Sequence, residues 1–123
     1  MRYLLILLLV ILGSTASAEN GFRDSDVRLD KFGLTELIAG QILEFYDGGK
    51  SRYGADGSYG YTYTDDGPVW AGRYRVMEDS RVCVDFDNGS QRCDHLVMNG
   101  ESAVLIIADG TRFPVRKFTV AAN

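Results

Sequence analysis

Histidine, cysteine and the motifs of common catalytic sites are scarce in this sequence. Its 123 residues include one histidine and two cysteines, and no Gly-x-Ser-x-Gly motif occurs. One histidine cannot build a typical zinc site when both cysteines are bridged, and a hydrolytic triad also needs a nucleophile on a strained turn. We therefore predict a protein that is not an enzyme and that holds no metal and no cofactor. A small hydrolase that uses His95, with Asp94 or Asp85 as orienting carboxylate, is kept as an alternative.

Long apolar runs are also few, and the longest lies at the N-terminus. A basic residue, Arg2, is followed by an apolar run over residues 3–12 and then by the small residues Ala16 to Ala18. This run is too short to span a bilayer, and the small residues fit the −1 and −3 positions of a signal-peptidase site. The pattern predicts a signal peptide over residues 1–18 and a periplasmic or secreted protein. No stable membrane insertion is expected after cleavage.

Basic residues are outnumbered by acidic ones, with 13 Lys and Arg against 17 Asp and Glu and a net charge of −4. This balance argues against nucleic acid as a partner, so we expect an unknown protein or a glycan of the cell envelope. The chain without its signal peptide is long enough for one domain. We predict that residues 34–120 form a single β-barrel-like domain. Residues 19–33 are polar with alternating charge, which predicts a flexible N-terminal arm.

Turn dipeptides follow one another at intervals of nine to twelve residues after Gly40. Asp-Gly and Asn-Gly tolerate positive φ in tight hairpin turns, and the segments between them are rich in strand-forming residues. The pattern predicts eight strands, at about 41–46, 50–54, 58–64, 69–77, 81–87, 90–98, 102–108 and 111–120. Tight turns make neighbours antiparallel, so we predict an all-β, up-and-down meander that closes into a small barrel or half-barrel. A two-sheet sandwich is the alternative.

One short helix is expected before the first strand. Thr35 is a suitable N-cap, the next four residues fit a helical turn, and Gly40 suits the left-handed position after a helix. A helix of one or two turns is too short to stand alone, so it is predicted to plug one end of the β structure.

The segment from Arg81 to Cys93 contains both cysteines and is typical of a β-hairpin. If Asp87-Asn88-Gly89 forms a three-residue turn with Gly89 in the left-handed conformation, Cys83 lies directly opposite Cys93 on a non-hydrogen-bonded pair. Such a pair allows a disulfide without bending the backbone. We therefore predict a Cys83–Cys93 disulfide on the face opposite Val82, Val84 and Phe86. In exported proteins a pair of cysteines more often forms a disulfide than two free thiols.

Aromatic residues alternate along one predicted strand, at Tyr59, Tyr61 and Tyr63, with Trp70 close by in sequence. Three rings therefore share one face. Such a row binds sugar rings or flat ligands when it is exposed, and it fills a barrel core when it is buried. Both interpretations stay open, and these four residues are the candidate ligand-binding residues.

Five short motifs occur in a fixed order: Leu37 to Gly40, Tyr53 to Gly57, Gly72 to Val76, Cys83 to Cys93, and Ile107 to Thr111. Their order resembles a class of small secreted proteins of unknown function common in alphaproteobacteria, in which a Gly-x-Trp-x-Val strand precedes a cysteine-linked hairpin. Tyr74 stands here at the Trp position. The likeness covers about 37–120 and implies no activity. It is compatible with our first hypothesis, a secreted, non-catalytic binding or interaction module of unknown specificity.

Leu37 to Gly40 and Leu105 to Phe113 are also similar to periplasmic inhibitors of metalloproteases, which are lipocalin-like barrels with one disulfide. This resemblance implies an alternative function, a protease inhibitor whose N-terminal arm enters the protease cleft. The chain differs from that family because no Trp follows Gly40 and the cysteines are closer in sequence.

Overall fold

The structure is a computed structural model that describes residues 20–122. The predicted signal peptide, residues 1–18, lies outside the described residues. The elements, in chain order, are α1 (Lys31–Ile38), β1 (Gln41–Phe45), β2 (Lys50–Tyr53), β3 (Ser58–Thr62), β4 (Trp70–Val76), β5 (Arg81–Phe86), β6 (Gln91–Asn99), β7 (Ser102–Ile106) and β8 (Arg112–Val120). Over residues 20–122, no helix has the length and apolarity that crossing a membrane requires.

The eight strands form a closed antiparallel barrel. Each strand pairs with the next along the chain, and β1 pairs with β8 to complete the ring. The tight turns predicted from the sequence explain the meander, and closure gives the first and last strands a neighbour on both sides. The predictions of an all-β, up-and-down meander and of eight strands are therefore confirmed, and the fold is a barrel and not a sandwich.

The core lies inside the barrel because alternate side chains of each strand point inward. Leu43, Val82 and Leu96 are at most 1 % exposed. Burying such a side chain contributes about 1.5 to 3 kcal/mol. The buried core consists of Leu34, Ile38, Leu43, Phe45, Tyr53, Tyr59, Val82, Val84, Leu96, Ala103, Leu105 and Val115.

The single described helix closes one end of the barrel, as predicted, but it begins earlier than the sequence indicated. Asp30 is the N-cap, and its carboxylate accepts the N–H of Gly33 at 2.7 Å. Thr35, the predicted cap, instead lies inside the helix and donates its hydroxyl to the Lys31 carbonyl at 2.7 Å. An aspartate caps at least as well as a threonine, so the helix gains a turn. Its buried residues, Leu34 and Ile38, are part of the core.

The sequence predicts a flexible arm over residues 19–33, and the structure places residues 31–33 of this segment in α1. We name residues 20–30 the strap, because they lie along the outside of the barrel. The Val27 N–H donates to the Met98 carbonyl at 2.7 Å, and the Met98 N–H donates back at 3.0 Å. The Leu29 N–H donates to the Ser80 hydroxyl, and the Ser80 N–H donates to the Leu29 carbonyl at 2.7 Å. The strap therefore extends the hydrogen bonding of the sheet.

An apolar patch on the outer wall explains why the strap is held there. Val97, Val104 and Ile106 point outward from β6 and β7, yet they are at most 5 % exposed and pack with Phe22 of the strap. Strands that are buried on both faces are continuously apolar and do not alternate. The run from Ala103 to Ile107 has this character. The strap therefore needs few apolar residues to bind the barrel, because they pack on an apolar patch of the outer wall.

An ion pair fixes the middle of the strap. The two Asp26 carboxylate oxygens accept from the two terminal nitrogens of Arg112 at 2.6 and 2.8 Å. The Asn99 amide and the Arg23 N–H also donate to this carboxylate. The hydrogen bond from Arg112 is the main cause that holds the pKa of Asp26 well below its usual range. The Asp26 side chain is 2 % exposed, so the pair is effectively buried.

The predicted hairpin and disulfide are confirmed. The Phe86 N–H donates to the Ser90 carbonyl at 2.8 Å, and Gly89 has a φ of 90° in the turn between them. A left-handed residue is required at this position, which is why glycine fits it. The register places Cys83 opposite Cys93 with a Cα–Cα distance of 4.0 Å, and the two are bridged. Because Val82 and Val84 belong to the core, the disulfide lies on the outer wall.

Replacement of both cysteines by serine should lower the free energy of unfolding by about 2 to 3 kcal/mol and leave the barrel intact, because the bridge closes a short loop in the unfolded chain. Urea unfolding followed by circular dichroism measures this loss. Reduced wild-type protein is the matched control and should lose the same amount. A double variant as stable as the oxidised wild type would contradict a stabilising role for the bridge.

Asp26→Asn should destabilise the protein by about 3 kcal/mol at pH 7, because it leaves the Arg112 guanidinium without its charged partner. The pKa of Asp26 is lower in the folded than in the unfolded chain. The contribution of the carboxylate is therefore full above about pH 4, the ordinary range of an unfolded aspartate, and is lost as the pH falls further. Urea unfolding at pH 7 and pH 3 should give a smaller difference between variant and wild type at pH 3.

Asp24→Asn is the control for this change, since Asp24 is an exposed aspartate of the same strap. It should be neutral at both pH values. An Asp26→Asn difference that does not change with pH would show that the carboxylate charge does not hold the strap.

Candidate functional site

The end of the barrel opposite the helix is open and holds two adjoining cavities. The larger mouth cavity has a volume of about 270 Å³ and is lined by Tyr61, Tyr63, Trp70, Phe86, Asn88, Ser90 and Arg92. The smaller mouth cavity has a volume of about 220 Å³ and is lined by Phe45, Asp47, Ser51, Tyr59, Tyr61, Tyr63, Arg92, Leu105, Ile107 and Phe113. The two share Tyr61, Tyr63 and Arg92, so they form one concave site, which we call the mouth.

The aromatic row predicted as a ligand-binding surface runs from the core to the rim of the mouth. Tyr59 is 7 % exposed, Tyr61 is half-buried and Tyr63 is 65 % exposed. Trp70 is paired with Tyr61 across β3 and β4 and is 45 % exposed. Neither interpretation of the sequence therefore describes the whole row. Tyr59 fills the core, whereas Tyr61, Tyr63 and Trp70 line a concave opening.

The rings are held in a fixed arrangement. The Tyr61 and Tyr63 rings are perpendicular, with centroids 4.9 Å apart, a geometry that aromatic pairs prefer. Below them, Tyr59 packs edge-on against Phe86 at 5.8 Å, over Gly72, which lies between these two residues in the sheet. A Cβ at Gly72 would be 2.4 Å from the Asp85 carbonyl, so glycine is required at this close approach of strands.

Buried hydrogen bonding supports the base of the mouth. The hydroxyls of Ser51 and Tyr59 are 3.1 Å apart, and both side chains are buried. Burial raises the pKa of Tyr59 to about 12, so its phenol stays protonated at neutral pH. The Tyr74 hydroxyl donates to the Gly54 carbonyl at 2.8 Å, near the helix end. The interior polar groups are thus largely satisfied by one another.

An ion pair inside the barrel lies next to these rings. The Arg92 Nε donates to the Asp94 carboxylate at 2.8 Å. The Asp94 side chain is 10 % exposed, whereas that of Arg92 is 43 % exposed and reaches the mouth. Burial raises the pKa of Asp94, although the charge and hydrogen bond of Arg92 oppose this shift. The carboxylate is therefore the covered member of the pair, and the guanidinium is the accessible one.

Neither Arg92 nor Asp94 was a candidate binding residue from the sequence, yet the hairpin register contains the signal. Arg92 is paired with Val84, and Asp94 is paired with Val82. Residues directly opposite in an antiparallel pair point to the same face. Since both valines belong to the core, the same register places these two charged residues inside the barrel.

A notch in the barrel wall lies beside Arg92. Strand β7 ends at Ile106, which pairs with His95, so the first residues of β6 lack a neighbour on that side. The notch has a volume of about 570 Å³ and is lined by Gln91, Arg92, Cys93, Asp94, Ile107, Ala108 and Asp109. Arg92 thus lines both the mouth and this notch.

The hydrolase alternative pairs His95 with Asp94 or Asp85 as the orienting carboxylate. His95 lies on the outer wall, with its ring 5.0 Å from that of Phe22. Asp94 is the adjacent residue of the same strand and therefore points to the opposite face. Asp85 is paired with Gln91 in the sheet, and its carboxylate accepts from the Arg75 Nε at 3.2 Å.

The free energy of unfolding of Asp94→Asn, taken relative to that of wild type, should increase with pH. Burial raises the pKa of Asp94, so its stabilising contribution is full below the ordinary pKa of an unfolded aspartate. That contribution is lost as the pH rises through the higher folded value. Asparagine has no such proton to lose. Urea unfolding at pH 3 and pH 7 measures the difference.

Asp66→Asn, at an exposed turn position, is the control and should show no such trend. An equal difference between the Asp94 variant and wild type at both pH values would contradict the raised pKa and the burial of this carboxylate.

In comparisons with known proteins, no protein family, no curated protein and no solved structure matches the chain.

Proposed function

We propose that this protein is a non-catalytic binding protein that takes up a small ligand in the mouth of its barrel. One observation carries the proposal: the end opposite the helix holds a concave site in which aromatic rings surround an accessible guanidinium. The mouths of small β-barrels are common positions for ligand sites. The predicted interaction module thereby becomes a more specific hypothesis.

The composition of the mouth supports binding rather than a structural role. Trp70 and Tyr63 are large apolar side chains that remain substantially exposed at its rim. Ligand pockets typically combine an apolar lining with a few converging polar groups, which here are Asn88, Ser90 and Arg92. The rings contact one another, so little conformational entropy is left to lose when a ligand binds.

The lining also favours binding over catalysis. The residues that line the two mouth cavities include no histidine and no cysteine. His95 lies on the outer wall beneath the strap, away from these rings. A nucleophile paired with a base, the usual sign of covalent catalysis, is not among the lining residues.

We also propose that the protein acts in the periplasm or outside the cell. The N-terminal apolar run followed by small residues supports export. The disulfide is compatible with that location, because such bonds persist in oxidising compartments. A ligand in this setting would reach the mouth directly from solution.

The neutral fluorescent compound N-phenyl-1-naphthylamine should bind the mouth, with an increase in its own emission and a decrease in that of Trp70 by energy transfer. Trp70 is the single tryptophan of the sequence and lines the larger cavity, so its signal reports on this site. Tyr63→Ala should weaken binding by about fivefold to tenfold, because it removes one aromatic contact from the site.

Tyr46→Ala is a matched control. Tyr46 is 72 % exposed and does not line either mouth cavity, so this change should leave the affinity unaltered. Absence of probe binding, or equal affinities of the two variants, would refute the mouth as a ligand site.

A further inference from the structure

Arg92 differs from the other residues of the larger mouth cavity in its charge. Four of the seven lining residues are aromatic, two are neutral polar residues, and Arg92 is the one with a formal charge. Its side chain is 43 % exposed and lines both mouth cavities. A cation surrounded by rings is an unusual lining for a purely apolar ligand.

The guanidinium is oriented by Asp94. Its Nε donates to the Asp94 carboxylate at 2.8 Å, and over residues 20–122 this is the hydrogen bond that the Arg92 side chain makes. The two terminal nitrogens are left to donate elsewhere. Because a guanidinium presents its donors in a rigid plane, fixing one edge fixes the direction of the other. Asp94 is thus a positioning residue, and the remaining edge fits a carboxylate with two parallel hydrogen bonds.

The surroundings decide where an anionic group would lie. Asp47 lines the smaller cavity, and its carboxylate, which accepts the Gly49 N–H at 2.8 Å, disfavours a second anion there. The larger cavity is bordered by Asn88 instead. The Asn88 side-chain oxygen accepts from the Ser90 N–H at 2.9 Å and from its hydroxyl at 2.6 Å, so the amide nitrogen is left as a further donor.

We propose that the ligand of the mouth is a ring compound that carries a carboxylate, with the ring against Trp70 and Tyr63 and the carboxylate on Arg92. This inference rests on the proposed function, because it assigns a chemical class to the same site. The rings supply apolar contact area and the guanidinium supplies a charge-assisted hydrogen bond. The carboxylate can belong to a flat hydrocarbon ring or to an acidic sugar, which the test distinguishes.

Competition against N-phenyl-1-naphthylamine tests this class. Phenylacetate and phenylacetamide have the same ring and linker and differ in charge, so phenylacetate should displace the probe at a concentration at least about tenfold lower. Arg92→Gln should abolish this preference and leave displacement by phenylacetamide unchanged. Arg92→Lys should keep part of it, because lysine retains the charge without the planar donors. Arg81→Gln, on the exposed outer wall, should keep all of it.

The outcomes separate the two proposals. If the probe binds wild type but the two competitors act equally, or if Arg92→Gln keeps the preference, the carboxylate assignment is wrong and the mouth remains a binding site. If the probe does not bind at all, the proposed function itself fails. Probe binding by Arg92→Gln also shows that the variant folds. Glucuronate, tested in parallel, should compete in an Arg92-dependent way if the ring is a sugar, and should fail to compete if the ring must be flat.

Discussion

Closure of the sheet between β1 and β8 is the constraint on which the rest of the structure depends. Once the ring is complete, alternate side chains of each strand must share one interior, and an eight-stranded barrel is just wide enough for side chains to fill it. Leu34 and Ile38 of the helix fill one end, and the core rings fill the middle. The remaining space lies at the opposite end. The mouth therefore lies at the end of the barrel that the helix leaves open.

The interior charges at Arg92 and Asp94 are difficult to explain by stability alone. Taking a carboxylate out of water is unfavourable, and apolar residues of similar volume often stabilise a protein as well or better than a buried pair. The raised pKa of Asp94 reflects this unfavourable burial. Proteins tend to break local rules of packing at functional sites. Here the rule is broken next to the mouth, where the guanidinium remains accessible, which is consistent with a role in binding.

Much of the fold could be predicted from the sequence because its signals are local. Turn dipeptides and period-two alternation determine strands and hairpins, and the three-residue turn at Gly89 determines the register that opposes the cysteines. The start of the helix and the fixed strap could not be predicted in this way. Both depend on non-local partners, namely the outer patch around Val97 and the guanidinium of Arg112. The site was predicted in part: the aromatic row follows from alternation, but the inward position of Arg92 requires the register to be extended across the hairpin.

Strand β6 links the stability of the barrel to the candidate site. Its inner face carries Arg92, and its outer face carries Val97 under the strap. The first residues of β6 have β5 as their neighbour on one side and the notch on the other. A slip of one residue between β5 and β6 would turn Arg92 to the outside, and β7 pairs only with the later part of β6, from His95 to Asn99. The Cys83–Cys93 bridge lies at this point and fixes the register covalently. The bridge therefore adds a covalent constraint to the register that places Arg92 on the inner face of the barrel.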